Sequence, residues 1–399
     1  MNNIVFLFSK DCMSLESLPC YSSTGAANFW RGKTPNIDEL ANKGTMFMCH
    51  YTAAPSTSMA MSSMMTGKYP YEFKSRKRYE SVAPNEFRSL FDIFQENNYE
   101  CHLLWDYRWM KMAWRYVREF GDESKTIIHN LPLGFSAGKL KKNITQRDDA
   151  LLNKTCKLLY AELEKIDLTK KQFIWLHLPH VLLGRKGYMD DMDVLDDVVG
   201  YVRHMVGDDS IYFTTDHGHM NMHKGKFRYG FDVYQPAIHI PLITPKIDGK
   251  NKIESLTSNI DLPSIILNKE IPKHSFVISE IKYFLQPHRK VAVLDGHFKY
   301  IYNDDGKKEE LYDLKWDPLE NYNILDVSPM DHDRHCRSAI DELYFYPYRN
   351  EAMLAYNRLK AYWEKIWYKQ TIFDRANIQL REVLKNCIRF INKLLLRKV

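Results

Sequence analysis

Two stretches of this 399-residue chain carry side chains placed to do chemistry. The apolar run Ile211-Tyr212-Phe213-Thr214-Thr215 leads into Asp216-His217-Gly218. Such a run reads as a buried strand, and open α/β sheets take their ligands beyond the carboxyl ends of their strands. A carboxylate beside an imidazole offers one oxygen and one nitrogen donor, which suits Zn²⁺ or Mn²⁺ better than an all-oxygen Ca²⁺ site. Taken alone, the pair serves equally as a loop cap beside a structural histidine. The second stretch is Thr57 at the head of the Met-rich pattern Ser58–Met65, which reads as a buried helix. A threonine hydroxyl deprotonated on a metal can attack phosphorus and form a covalent intermediate. A helix N-terminus pointing at it would stabilise the phosphoryl anion.

The elements that must position these groups alternate along the chain. Ile4–Phe8, Tyr99–Trp105, Gln172–Leu178, Ser210–Thr214 and Ile238–Leu242 read as buried strands. Asn36–Lys43, Ser58–Met65, Phe87–Asn97, Asp148–Lys165 and Asp190–Val206 read as helices, which together predict an α/β sheet covered on both faces. Pro35 after Thr34 marks the start of the first helix. The acidic run Asp190–Asp197 carries Met192, Leu195, Val198 and Val199 at helical spacing and reads as an amphipathic helix with an acidic outer face. His177 reads as strand filler.

Composition bounds the alternatives. The hydrophobic share of 45% and charged share of 27% are those of a folded globular protein. A net charge of +6 is mild and not gathered on the catalytic stretches, so nucleic acid is not an expected partner. Seven scattered cysteines without CxxC spacing favour a reduced setting over a disulfide framework. The apolar start Asn3–Phe8 is too short for a signal-peptide core or a membrane span, and no other run reaches membrane length. The expected location is therefore cytoplasmic, with peripheral contact on the inner membrane surface as one reading of the C-terminal end. There Arg381, Lys385, Arg389, Lys393 and Arg397 recur every four residues between apolar positions. A basic amphipathic helix over 377–399 fits an anionic membrane surface, or equally the body of the domain or a second subunit.

The segment Tyr51-Thr52-Ala53-Ala54-Pro55-Ser56-Thr57 through Thr66-Gly67-Lys68-Tyr69-Pro70 resembles the sulfatase branch of the alkaline phosphatase superfamily. In that branch a Tyr-Thr-x-Ala-Pro run precedes the nucleophile, and the following helix ends in Thr-Gly-Arg/Lys-Tyr-Pro. Sulfatases carry Cys or Ser at the nucleophile position, because either is oxidised to formylglycine; threonine is not. Members with Thr there are phosphodiesterases and phosphoethanolamine or phosphoglycerol transferases. Glu310-Leu311-Tyr312-Asp313-Leu314-Lys315-Trp316-Asp317-Pro318 resembles the family's strand and turn near the end of the domain, and Lys299–Gly306 reads as a strand entering a hairpin. The resemblance implies a sulfatase-like α/β domain over 1–285 with a central, mostly parallel sheet flanked by helices. A small antiparallel subdomain over 286–335 follows; there the resemblance stops, and the rest reads as a helical basic extension over 336–399.

The resemblance also implies site roles. Asp216 and His217 would hold a divalent metal ion, Zn or Mn ahead of Ca or Mg. Asp11 aligns with the second of two acidic residues that the family places after its first strand, while Lys10 replaces the first; a protonated ammonium ligates no cation. Asp11, Thr57, Asp216 and His217 are thus the expected metal set. Thr57 is the nucleophile, and His180, His223 and Lys226 are the expected contacts to the non-bridging oxygens or leaving group. The implied activity is metal-dependent phospho-form transfer or phosphodiester cleavage through a phospho-threonine. A phosphorylated small-molecule or lipid donor and a glycan or lipid-linked acceptor are the expected partners. The rivals are sulfate ester hydrolysis and an inactive sulfatase-like binding protein, for which Lys10 is the best argument.

Overall fold

β1 (Ile4–Lys10) alternates its side chains between two apolar layers: Phe6 and Phe8 enter one core, Val5 and Leu7 the other. That is the pattern of a strand buried on both faces. The computed structural model describes residues 2–24, 32–72, 87–105, 125–131, 149–179, 184–226, 228–281, 289–303, 309–325 and 339–367. In chain order the described strands continue with β2 (Thr45–Phe47), β3 (His50–Tyr51), β4 (Glu100–Trp105), β5 (Thr126–Asn130), β6 (Gln172–Leu178), β7 (Ile211–Thr215), β8 (Leu242–Thr244), β9 (Lys252–Ile253) and β10 (Thr257–Ser258). Eight of them form one sheet in the order β5-β4-β6-β1-β7-β8-β2-β9, while β3 pairs with β10. The strands from β5 to β7 run parallel, and β8 runs antiparallel to both β7 and β2. The architecture is the expected α/β one, with a mostly parallel sheet.

Helices cover both faces. On the Phe6 side lie α1 (Pro35–Lys43), through Ile37 and Leu40, and α5 (Gly184–Val206), through Met192, Leu195, Val199 and Val202. α4 (Asp149–Leu163) adds Leu159 and Leu163 to that layer. On the Leu7 side lie α2 (Thr57–Thr66), α3 (Leu90–Glu96) and α7 (Leu262–Asn268), through residues such as Met61, Met64, Phe91, Phe94 and Ile265. The methionines after Thr57 are therefore core, as their spacing indicates. α3 starts at Leu90 rather than Phe87 because Ser89 and Asp92 form a reciprocal capping box.

One expected strand is displaced. Residues Gln235–Ile238 form a short helix, α6, and the strand begins only at Leu242. Pro236 favours the first helical turn, and Pro241 has no N–H to give to a ladder. The acidic run on α5 is also not uniformly solvated. Asp191 and Asp196 are buried, and Asp196 accepts the backbone N–H groups of Asn36 and Ile37, holding the start of α1.

A second, four-stranded antiparallel sheet is formed by β11 (Val277–Ile281), β12 (Lys290–Leu294), β13 (Phe298–Asn303) and β14 (Glu310–Asp313). One face packs on Tyr51, Met220, Val233 and Ile238 beside the loop after β7. The other receives α8 (Ala339–Trp367) through Ala352, Ala355, Leu359 and Trp363, spaced to share one helical face. No described helix is long and apolar enough to cross a membrane. The basic stripe at 377–399 lies outside the described residues. Trp363 is buried and has the guanidinium of Arg289 over its ring at 5.6 Å. Trp363→Ala is expected to cost about 3–5 kcal/mol in urea unfolding; a loss well under 1 kcal/mol would show that this helix does not anchor the small sheet.

Candidate active site

The pairing register of the central strands assembles the site. Lys10 lies opposite Thr215 in the parallel β1–β7 pair, so Asp11 and Asp216, one residue beyond each strand, leave the sheet side by side. The loops are then stitched together. Cys12 N–H donates to Asp216 Oδ1 at 3.1 Å, and Met13 N–H donates to the His217 carbonyl at 2.9 Å. Thr57 arrives from the other side on a loop pinned to the same residue. The Thr52 hydroxyl donates to the Asp216 carbonyl at 2.7 Å and accepts from Asn259 Nδ2 at 3.1 Å, while Ala53 N–H donates to Asn259 Oδ1 at 2.9 Å. Thr57 is consequently the first residue of α2, with Oγ1 3.2 Å from His217 Nε2 and 3.4 Å from Asp11 Oδ1.

His217 is held in one tautomer. Its Nδ1 lies 2.8 Å from the Gly218 carbonyl, which only accepts, so Nδ1 carries the proton and Nε2 presents a lone pair. The Tyr229 ring packs against the imidazole at 4.5 Å between centroids. Gly218 lets the Pro236 backbone lie against the loop, because a Cβ there would stand 2.0 Å from the Pro236 carbonyl oxygen. Burial raises the Asp216 carboxyl above the usual carboxylate range, with His217 opposing the shift and Asp11 adding to it. Burial likewise raises the Cys12 thiol, again with Asp11 and Asp216 adding.

These residues fit a divalent cation. Asp216 is fully buried, its Oδ1 accepts from the Cys12 and His217 backbones, and its Oδ2 has no hydrogen-bond partner among the described residues. An unsatisfied carboxylate oxygen is costly unless a positive group meets it. His217 Nε2 lies 3.6 Å from that oxygen and 3.7 Å from Asp11 Oδ1, too long for hydrogen bonds. Ligands about 2.0–2.2 Å from a tetrahedral ion stand about 3.3–3.6 Å apart, so these separations suit donors around a metal. Asp11, Cys12 and His217 each bring a ligand atom within 4.8 Å of the others.

The other expected residues are placed differently. His180 lies outside the described residues. His223 Nε2 stands 3.9 Å from Glu320 and lines a cleft of about 590 Å³ whose walls do not include Asp11, Thr57, Asp216 or His217. Burial lowers its imidazole to about 4, with Lys224 adding to that. Lys226 pairs with Asp232 at 2.5 Å. Neither makes a hydrogen bond or ion pair with the four clustered residues. His177 is buried strand filler that accepts from the Ser9 hydroxyl at 2.8 Å, the hydroxyl in turn accepting from Trp175 Nε1 at 2.8 Å.

Sequence reasoning passed over two features. Lys10 is buried and donates to Asp191 Oδ2 at 2.8 Å, to the Pro179 carbonyl at 3.0 Å and to the Asp11 carbonyl at 3.2 Å. These acceptors match its three N–H donors, tying the ends of β1 and β6 to α5. Nothing in the local sequence around Asp191 distinguishes it from its exposed neighbours. Cys12 is the other; its only sequence signal is adjacency to Asp11.

The sulfatase family model matches residues 2–181, a little under half of the chain. Over that stretch the chain is similar to sulfatases, and its fold is one that solved sulfatases and phosphonate monoester hydrolases share. It is 28% identical over 90 residues to an N-acetylgalactosamine-6-O-sulfatase of Bacteroides thetaiotaomicron, a match covering 23% of this chain and 16% of that one. It is 25% identical over 197 residues to arylsulfatase K of Xenopus laevis, covering 40% and 36%. The matched stretches therefore span well under two thirds of these relatives' own lengths. The phosphonate monoester hydrolase of Agrobacterium radiobacter superposes with a TM-score of 0.62 at 16% identity, covering 90% of this chain and 95% of that one. Sulfatase and alkaline-phosphatase-like enzymes use a divalent metal, and the buried acceptor set described above is where one would sit.

Two outcomes test this geometry. Asp216→Asn and His217→Ala are each expected to lower bound metal and turnover together, as measured by elemental analysis alongside an activity assay; lost turnover with full metal occupancy would place both residues elsewhere. Lys10→Met removes the ammonium paired with Asp191 in the interior, at a cost of about 3–5 kcal/mol. The double variant Lys10→Met, Asp191→Leu should recover most of that stability in denaturant melts, and equal losses would show that the pair is not what matters.

Proposed function

We propose that the chain is a metal-dependent phosphodiesterase or phospho-form transferase with Thr57 as its nucleophile. The observation that carries this reading is the Thr57 hydroxyl itself. It stands at the head of α2, within 3.2–3.4 Å of His217 Nε2 and Asp11 Oδ1, on a residue that cannot be oxidised to formylglycine. A divalent ion held by Asp11, Asp216 and His217 would lower the hydroxyl's pKa and offset charge on the phosphoryl oxygens. Thr57 Oγ1 would attack phosphorus as its proton passes to solvent, and the bond from phosphorus to the donor's leaving oxygen would break, that oxygen taking up a proton from solvent. The uncapped first turn of α2, whose preceding Ser56 makes no side-chain cap, directs backbone N–H groups at the transferred anion. An acceptor hydroxyl or water then attacks the same phosphorus and frees Thr57. A glycan or lipid-linked molecule is the proposed acceptor, and no step falls to His223 or Lys226.

Sulfate ester hydrolysis is the second reading, favoured by the sulfatase family model and by two sulfatase relatives. It requires an oxidisable residue at the reacting position, and Ser56 and Ser58 flank Thr57. Side-by-side assays of an aryl phosphodiester, an aryl phosphonate ester and an aryl sulfate separate the two. Phosphorus ester turnover is expected, falling to background in Thr57→Ala and partly retained in Thr57→Ser. Sulfate ester turnover that survives Thr57→Ala would overturn the reading, and a lack of turnover on all three would favour a binding protein.

A further inference from the structure

We propose that Cys12 supplies a sulfur ligand to the divalent ion, so that the site takes zinc in preference to calcium or magnesium. This rests on the reading that the site holds a metal and specifies which ion it selects. Cys12 follows Asp11 and is fully buried. Its φ of 65° is a left-handed conformation uncommon outside glycine. Its Sγ lies within 4.8 Å of ligand atoms of both Asp11 and His217. The one hydrogen bond it makes among the described residues is a long contact to the Gly218 carbonyl at 3.7 Å, so the thiol is not committed to another strong partner.

Two further observations bear on the same point. Asp216 Oδ2, fully buried and without a hydrogen-bond partner among the described residues, lies 3.6 Å from His217 Nε2 and marks the place as one built for a cation. Lys10, standing where the resemblance leads one to expect an acidic residue, spends its three donors on Asp191 and two carbonyls and contributes no ligand. The donor set is therefore short by one carboxylate, and among the described His, Cys, Asp and Glu side chains Cys12 is the one grouped with Asp11 and His217. Thiolate with imidazole and carboxylate is a zinc set; calcium and magnesium take oxygen. On binding, a metal–sulfur bond replaces the S–H bond, and the thiol proton leaves to buffer.

The full chain, stripped with a chelator and reloaded with Co²⁺, provides the test. The wild type is expected to show a near-ultraviolet thiolate-to-cobalt charge-transfer band, and zinc-loaded protein a zinc–sulfur scattering shell at about 2.3 Å by X-ray absorption. Cys12→Ser should still bind cobalt but without the band. Its zinc affinity should be about 100-fold weaker, at least the effect of losing an outer partner of a ligand. Its metal-free thermal melt should match the wild type. Cys101→Ser, at a buried thiol on β4, serves as the control that keeps the band. Cobalt bound without a sulfur band in the wild type would overturn the thiolate while leaving the metal reading intact. A wild type that binds no cobalt or zinc would bring down both.

Discussion

Asp216 carries the constraint around which the rest is arranged. One carboxylate oxygen is held by the backbone N–H groups of Cys12 and His217; the other is buried with no hydrogen-bond partner among the described residues. A charge in that position is tolerable only if something positive completes it, and nearly every nearby contact serves to keep the completing groups in place. The Gly218 carbonyl fixes the His217 tautomer, and Thr52 ties the Thr57 loop to the Asp216 backbone. The parallel register of β1 and β7 delivers Asp11 alongside. Without a cation these residues amount to an acidic pocket with an unmet cost; on the proposed reading, a cation there would leave the Thr57 hydroxyl placed for attack.

The departure at Lys10 shows how the fold absorbs a change beside such a site. An ammonium at the end of β1 would repel a divalent ion if left unpaired. Instead Asp191, buried on α5, neutralises it at 2.8 Å, and the carbonyls of Pro179 and Asp11 accept its remaining donors. A buried pair of this kind adds little net stability, but losing either partner is costly. At a position where the resemblance leads one to expect a ligand, Lys10 is a strut between β1, β6 and α5.

Much of this was legible in the sequence because the informative residues stand at the ends of apolar runs. Asp216 and His217 follow β7, Asp11 follows β1, and Thr57 opens the buried methionine helix; the sheet needed only parallel register to bring them together. Three things were not legible. The expected strand Ile238–Leu242 begins late, since Pro236 and Pro241 carry conformational restrictions that hydrophobicity does not record. Which acids of the Asp190–Asp197 run turn inward depends on helix rotation against β1 and α1, information held in tertiary packing. That Cys12 faces the carboxylates depends on a left-handed backbone turn that no residue type announces.

The central claim is that Thr57 Oγ1 becomes covalently bonded to phosphorus during turnover. Acid quenching of the enzyme mixed with an aryl phosphodiester, followed by peptide mass spectrometry across residues 51–70, measures this directly. The account predicts a phosphoryl adduct mapped to Thr57 that appears within one turnover and is absent in Thr57→Ala. Steady turnover with Thr57 never modified, or an aldehyde at Ser56 or Ser58 accompanied by sulfate release, would contradict it.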